Sequence, residues 1–261
     1  MKSIIRTIVP ETVRQKFHDR QRRKQWEGDA FECNFCGAKL KEFTYRGVDS
    51  EVIQKLKIVP AGRRQVTCPF CASYDRDRLL WLFLQHRTDL TKVKTILHMA
   101  PEETIASKLR SFENIEYMSG DLDPALAMMK VDVTDIPFPD SHFDAILCNH
   151  VLEHVPDDSL AMRELLRVTK PGGWAVLQVP IGIKLDHTIE DIECHDEAER
   201  LARFGQIDHF RVYAKEDYVA RLRKAGWQVE VVDLISEISE EDLRRLSLNK
   251  DEKIFFCKRP I

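Results

Sequence analysis

Four cysteines have a spacing that suits metal coordination. Cys33-Asn-Phe-Cys36 and Cys68-Pro-Phe-Cys71 are two C-x2-C pairs with 31 residues between them. Each short pair lets two sulfurs face one ion, and four thiolates complete a tetrahedral structural zinc site with no open position for chemistry. A redox pair or free thiols is the alternative; in a reducing compartment disulfides are the weaker explanation. Gly37 follows the first pair, where the turn needs a small residue. Cys148, Cys194 and Cys257 are scattered and read as packing residues or incidental thiols.

Three other groups carry polar chemistry. Asn149-His150-Val151-Leu152-Glu153-His154 brings together an amide, a carboxylate and two imidazoles. Phe204 to Tyr213 crowds Gln206, Asp208, His209, Arg211 and Tyr213 into one short span, a density that suits recognition of a polar or anionic ligand. A buried hydrogen-bonding network is the equally open structural reading of that span. His150, His154 and His209 are the side chains able to take up a proton near neutral pH. Asp121, in Gly120-Asp121-Leu122-Asp123-Pro124, has the two acceptor oxygens needed to bind both hydroxyls of a ribose.

The surrounding pattern says how these residues are positioned. Phe143 to Cys148 is a short apolar run, read as a buried strand. Leu160, Met162, Leu165, Leu166 and Val168 then recur at helical spacing behind Asp157 and Asp158, and Pro171-Gly172-Gly173 ends the helix. Trp174 to Val179 is a second apolar, β-prone run. A β-α-β unit of this kind has parallel strands and a right-handed crossover, and ligands bind beyond the carboxyl ends of such strands. The Asn149 to His154 loop is therefore expected at a ligand site. Thr95 to Met99 and Ile115 to Ser119 read as earlier strands, the second ending in Asp121. Lys215 to Ala225 reads as an amphipathic helix closed by Gly226, with strands at Trp227 to Leu234 and Lys253 to Lys258.

DIPFPDSHFDAILCNHVLEHVPDD followed by LRVTKPGGWAVLQVP resembles the central and post-catalytic segments of class I S-adenosylmethionine-dependent methyltransferases of the small-molecule type. The resemblance covers roughly Lys94 to Lys258 and implies an α/β fold, a Rossmann-like seven-stranded sheet whose last strand runs antiparallel, here with an N-terminal zinc-ribbon-like module. It implies S-adenosylmethionine as cofactor, Asp121 with Leu122 at the ribose, and Asp132 with Val133 at the adenine. Asn149 and His150 would border the sulfonium and the methyl acceptor. One segment departs from the family pattern. Such proteins usually carry an acidic residue and a Gly-x-Gly-type loop after the first strand, and this chain has His98-Met99-Ala100-Pro101-Glu102. In that loop, and in the cysteine pairs, it resembles a bacterial group of methyltransferase-like proteins with an H-x-A-P-E signature. Glu102, or the backbone carbonyl near Ala100, is the candidate partner of the cofactor's ammonium group, with His98 beside them.

The implied activity is methyl transfer to the oxygen or nitrogen of a small polar acceptor, neutral or anionic. His150, His154, His209 and Arg211 are its candidate catalytic residues, and residues 181–213 form an insert over the acceptor side. Two other classes stay open: an RNA methyltransferase using the zinc module, and a zinc-containing binding protein that has lost catalysis. Against RNA stand the charge balance and the absence of an Asn/Asp-Pro-Pro-aromatic loop, Asn149-His150-Val151-Leu152 standing there instead.

Composition sets the remaining bounds. The 261 residues are 43% hydrophobic and 32% charged, as in an ordinary globular protein. The net charge of −3 is unevenly spread: residues 1–90 hold 18 Lys and Arg against 11 Asp and Glu, the rest 22 against 32. The acidic main part argues against a nucleic-acid surface. No apolar run approaches the roughly 20 residues of a membrane span, and IIRTIVP is not a signal core, so a cytoplasmic protein is expected. Oligomeric state is open. The expected layout is a polar helical arm over residues 1–30, a zinc-binding module with a linking helix over 31–90, and the methyltransferase domain over 91–261. In the linking helix, Asp75 to His86, the face of Leu79, Leu80, Phe83 and Leu84 should dock on the main domain, with Arg76 and Arg78 in surface ion pairs.

Overall fold

The computed structural model describes residues 20–261, of which 20–26 are helical. Most of the expected N-terminal arm lies outside the described residues. Strand β1 (Glu27–Glu32) pairs antiparallel with β2 (Lys39–Leu40) around the first cysteine turn. Then come β3 (Thr44–Arg46), helix α1 (Glu51–Leu56), β4 (Ile58–Val59) and β5 (Arg64–Thr67), with β3 and β5 paired antiparallel and the second cysteine turn following β5. Helix α2 (Asp75–Arg87) follows, opened by Tyr74, whose backbone N–H donates to Asp77 Oδ2 at 2.9 Å.

The main sheet begins with β6 (Thr95–Met99), α3 (Glu103–Leu109), β7 (Glu116–Asp121) and the short β8 (Met129–Lys130). The central unit is β9 (Phe143–Asn149), α4 (Asp158–Val168) and β10 (Thr169–Gln178). The insert contributes β11 (Ile181–Gly182), β12 (Ile189–Glu190), α5 (Glu197–Phe204) and β13 (Arg211–Val212). The chain ends with α6 (Lys215–Lys224), β14 (Gln228–Val232), α7 (Glu240–Arg245) and β15 (Ile254–Lys258). The seven strands lie in the order β14-β15-β10-β9-β6-β7-β8, all parallel except β15, which runs antiparallel to both neighbours. This is the expected seven-stranded sheet. The chain steps outward from β6 to β8, then crosses back to β9, so a crevice opens between β6 and β9 at their carboxyl ends.

The apolar run in β9 is continuous because both faces of the sheet are covered. Ala145 and Leu147 pack into one core with Leu79 and Phe83 of α2, while Ile146 and Cys148 pack into the other with Met162 and Leu165 of α4. Strand β10 starts earlier than expected, at Thr169, because an irregularity between Thr169 and Trp174 accommodates Pro171-Gly172-Gly173 within the strand.

The cysteine-bearing module is not a separate body. Cys33, Phe35, Leu40, Phe43 and Cys68 belong to the same buried cluster as α2, Ile96 and Leu147. The insert is joined to the module in turn: β11 pairs with β4, and Leu56 and Ile58 pack against Phe204 and Val212. Module and insert together roof the carboxyl edge of the sheet.

Arg78 is not in a surface ion pair. It is fully buried and donates to the carbonyls of Val66 (2.8 Å), Ser73 (2.9 Å), Leu246 (3.2 Å) and Ser247 (3.2 Å). A guanidinium with five donors can stay charged inside a fold when carbonyls from several segments converge on it. Arg78 therefore clamps the module to the loop after α7.

Candidate functional site

The turns beyond β6, β7, β8 and β9 enclose a cavity of about 520 Å³, lined on one side by Ala100, Asp121, Leu122, Asp132 and Val133. Asp121 ends β7, and its Oδ1 accepts the backbone N–H of Asp123 at 2.9 Å, which fixes the carboxylate in the turn. Asp132 is held in the same way by Thr134, through its N–H at 2.8 Å and its hydroxyl at 2.7 Å. Val133 is a buried apolar wall beside it. Ala100 takes a φ of 45°, in the left-handed region, and its N–H donates to Gly120 O at 2.8 Å. The loop thus has the backbone conformation that glycine favours without carrying a glycine.

His98 and Glu102 do not line this cavity. His98 is fully buried, with Nδ1 at 3.0 Å from Tyr117 Oη and Nε2 at 2.8 Å from Glu102 Oε2. Burial works against ionisation of Glu102, but the His98 hydrogen bond and charge outweigh it and hold the carboxyl below its usual range. Asn149, at the end of β9, donates to the same Oε2 at 3.5 Å, and its own Oδ1 is buried without a partner. These three residues form a buried polar cluster behind the cavity.

The loop after β9 forms the far wall. His150 adopts a φ of 56°, its N–H donating to Gln178 O at 2.7 Å, and it lines the 520 Å³ cavity together with His154 and Asp208. The same three residues also line a second cavity of about 730 Å³ beneath the module and insert. Arg46, Arg64 and Arg76 reach this second cavity from the module and α2; Glu153 and Asp208 reach it from the wall side. Arg46 stacks on the Tyr74 ring at 4.2 Å and Arg64 is paired with Asp75. Burial and the nearby Arg76 guanidinium hold His150 well below its ordinary pKa, so its ring is neutral.

His209 and Arg211 lie behind the wall and line neither cavity. Arg211 is buried, donating to Leu152 O at 2.9 Å, Pro156 O at 2.9 Å and Val155 O, and to Glu190 Oε2 at 3.1 Å. Of the two readings open for this span, Arg211 follows the buried network rather than the contact with an anionic ligand: its donors are taken by the 152–156 backbone and Glu190. Tyr213 supports the same turn, donating to Asp158 Oδ2 at 2.8 Å. His209 stacks edge-on against His154 with ring centroids 4.6 Å apart, and burial with the neighbouring His154 pushes its pKa down to about 4.

Glu153 was not singled out as a site residue in the sequence, yet it stands at the centre of the wall. It is 1% exposed, and burial pushes its carboxyl up to about 8. His150 Nδ1 lies 3.5 Å from its Oε1, and His154 Nε2 lies 4.0 Å from it. The signal available was its neighbourhood: a short 3-10 turn, Leu152–His154, turns its side chain inward between the two histidines.

At the module's far end, the sulfurs of Cys33, Cys36, Cys68 and Cys71 all lie within 4.8 Å of one another, and none forms a disulfide. The two turns repeat one geometry. Gly37 and Ala72, each after its second cysteine, are left-handed, and their N–H groups donate to Cys33 O at 2.7 Å and Cys68 O at 2.9 Å. The buried Ser73 hydroxyl sits 3.1 Å from Cys71 Sγ and 3.4 Å from Cys33 Sγ.

Comparison with known proteins agrees with the sheet. Residues 94–177 match the family described as "Methyltransferase domain". The chain is 26% identical over 140 residues to a 27-O-demethylrifamycin SV methyltransferase of Amycolatopsis mediterranei (strain S699), covering 51% of this chain and 47% of the relative. It is 31% identical over 116 residues to a demethylmenaquinone methyltransferase of Streptomyces avermitilis, covering 40% and 50%. The chain thus spans about half the length of these relatives. Among solved structures it is similar to the [4+2]-cyclase SpnF, with a TM-score of 0.51 and 18% identity over 71% of this chain and 82% of that one. That likeness concerns the fold alone. With the strand order and the crevice already described, the match identifies residues 94–177 as a methyltransferase domain of class I architecture.

Proposed function

We propose that this chain transfers a methyl group from S-adenosylmethionine to a small, polar, anionic acceptor. The single observation that carries the reading is the pair of cavities back to back, sharing the wall of His150, His154 and Asp208. One has the acceptor set for a nucleoside and the other is fringed by guanidinium groups, which suit carboxylate or phosphate on an acceptor.

The residues present fit the cofactor. Asp121, with Leu122, accepts from the ribose hydroxyls; Asp132 accepts from the adenine amino group, with Val133 against the ring. The left-handed Ala100 turns the backbone toward the methionine end. Glu102 adds negative potential from behind that turn, His98 and Asn149 holding it in place. S-adenosylmethionine, when bound, supplies an electrophilic methyl on a positively charged sulfur. The protein's part is alignment, and holding the reacting atoms near 3 Å accounts for most of the rate.

His150 stands at the shared wall, where a ring nitrogen is placed to receive a proton from an acceptor hydroxyl or ammonium, although burial and Arg76 make it a weaker base than a free imidazole. His154 shares the wall and is the second candidate. Arg211 acts through the loop it holds rather than on the acceptor. We also infer that Cys33, Cys36, Cys68 and Cys71 hold a structural zinc: the donor set is all-thiolate, mutually close and supported by the Ser73 hydroxyl.

The test is methyl-group tracing. Full-length protein is incubated with methyl-labelled S-adenosylmethionine and a small-molecule extract of cells lacking the protein, then with RNA from the same cells. Label in an anionic small-molecule fraction supports the reading. Label in RNA, or none in either, contradicts it.

A further inference from the structure

The wall between the two cavities contains polar atoms that methyl transfer, as set out above, does not account for. Glu153 is 1% exposed, and neither carboxylate oxygen has a hydrogen-bond partner. Beside it His209 is 3% exposed, and neither ring nitrogen has a partner of ordinary geometry. Adjacent buried polar atoms without ordinary hydrogen bonds, with His150 Nδ1 3.5 Å from Glu153 Oε1, are costly to a folded protein. An ion that accepts an electron pair from one oxygen of Glu153 and one ring nitrogen of His209 removes part of that cost.

His154 supplies the third donor, already oriented. Its Nδ1 lies 3.2 Å from Asp208 Oδ2, and its Nε2 faces Glu153 Oε1 at 4.0 Å. With Asp208 accepting from Nδ1–H, the Nε2 lone pair points toward the carboxylate, so two electron-pair donors face each other with a gap between them. A carboxylate that fixes the outer nitrogen of a histidine is the usual support of a metal ligand. One donor atom each from Glu153, His154 and His209 lie within 4.8 Å of one another. Around an ion held at 2.0–2.2 Å, donors sit roughly 3.4 Å apart, so a side-chain movement of about 1 Å closes the set.

We propose that Glu153, His154 and His209 bind a divalent transition-metal ion in the wall between the two cavities. Two imidazoles and one carboxylate suit zinc, iron(II), manganese(II) or cobalt(II), and not calcium or magnesium, which prefer all-oxygen sites. Three protein ligands leave coordination positions open, in contrast to the closed four-cysteine cluster. Glu153 and His154 both line the second cavity, so an open position there would meet the acceptor. The use of the ion in catalysis rests on the methyl-transfer reading: a hydroxyl oxygen of the acceptor would bind the ion, which would lower its pKa, its proton would pass to His150 or solvent, and the oxygen would take the methyl group, leaving S-adenosylhomocysteine. The presence of the ion does not rest on that reading.

The experiment is a cobalt(II) chloride titration of the full-length protein, freed of loosely held metal by a mild chelator and kept reduced. Cobalt bound by thiolate shows intense charge-transfer absorption; cobalt bound by imidazole and carboxylate shows weak visible bands alone. We expect one equivalent of the second type in the wild type. Glu153→Gln, which preserves shape, and His209→Ala should each raise its dissociation constant at least tenfold, and Asp208→Asn should weaken it by about 10–100-fold. Circular dichroism identifies any variant that has not folded, and the wild-type titration and Glu153→Gln then decide. Absence of an equivalent of the second type in the wild type, or its persistence at unchanged affinity in folded Glu153→Gln, overturns the proposal. S-adenosylhomocysteine binding, measured on the same samples, separates the two claims. Binding of the nucleoside without such cobalt defeats the metal site alone, and such cobalt without nucleoside binding defeats the methyl-transfer reading alone.

Discussion

Arg211 donates its Nη1 to the carbonyl of Leu152 at 2.9 Å, joining the end of the insert to the turn that carries Glu153 and His154. Phe210 N–H adds a bond to Glu153 O at 3.0 Å. The polar wall is therefore built from two segments more than fifty residues apart, and its shape depends on the fixed charge behind it.

Replacing Arg211 with alanine should strip that support. Several buried carbonyls lose their donor, at about 1–3 kcal/mol each, which in a chain of this size corresponds to a melting point lower by roughly 2–4 °C per kcal/mol. Arg211→Lys should recover little, because one ammonium cannot reach the carbonyls of Leu152, Val155 and Pro156 together. A thermal melt of either variant that matches the wild type would remove Arg211 from this role.

The His98–Glu102 pair should appear in acid stability. Glu102 binds its proton less tightly in the fold than in the unfolded chain, so it adds stability above its unfolded pKa and loses that contribution as the pH falls through the carboxylate range. Urea unfolding of wild type and Glu102→Gln should thus differ most near neutral pH and converge toward pH 3. A difference that stays constant with pH would mean that Glu102 is not ionised in the fold.

Removing metal from the four cysteines should lower the stability of the whole chain. Cys33 and Cys68 share one buried cluster with Phe83, Ile96 and Leu147, so the sheet cannot ignore the loss of the module. Cys36→Ser/Cys71→Ser should lose one zinc per chain and melt in a single transition at lower temperature. Two transitions, the upper one unshifted, would show the module to be an independent domain.

The central β-α-β unit was legible in the sequence because the run from Phe143 to Cys148 is continuously apolar and the following helix has a clean stripe; the seven-stranded sheet with its antiparallel last strand was what the family resemblance implied. The cysteine cluster was equally plain, being set by local spacing. Arg78 and Arg211 were not legible. Both are buried cations satisfied by carbonyls distant in sequence, Leu246 and Ser247 for one and Leu152 to Pro156 for the other. Glu153 was noted as the carboxylate of its loop but not as a catalytic candidate, because its burial comes from a 3-10 turn that the sequence does not mark. The joining of the insert to the module by β4 and β11 rests on two-residue strands too short to leave a pattern.

The most direct test of the account is isothermal titration of S-adenosylhomocysteine into the full-length protein and into Asp121→Ala. Two charge-assisted hydrogen bonds to the ribose, each about 1.5–3 kcal/mol, depend on Asp121. The account predicts one binding site in the wild type and an affinity at least tenfold weaker in the variant, with the fold intact by circular dichroism. No binding by the wild type, or equal affinity in both, would contradict it.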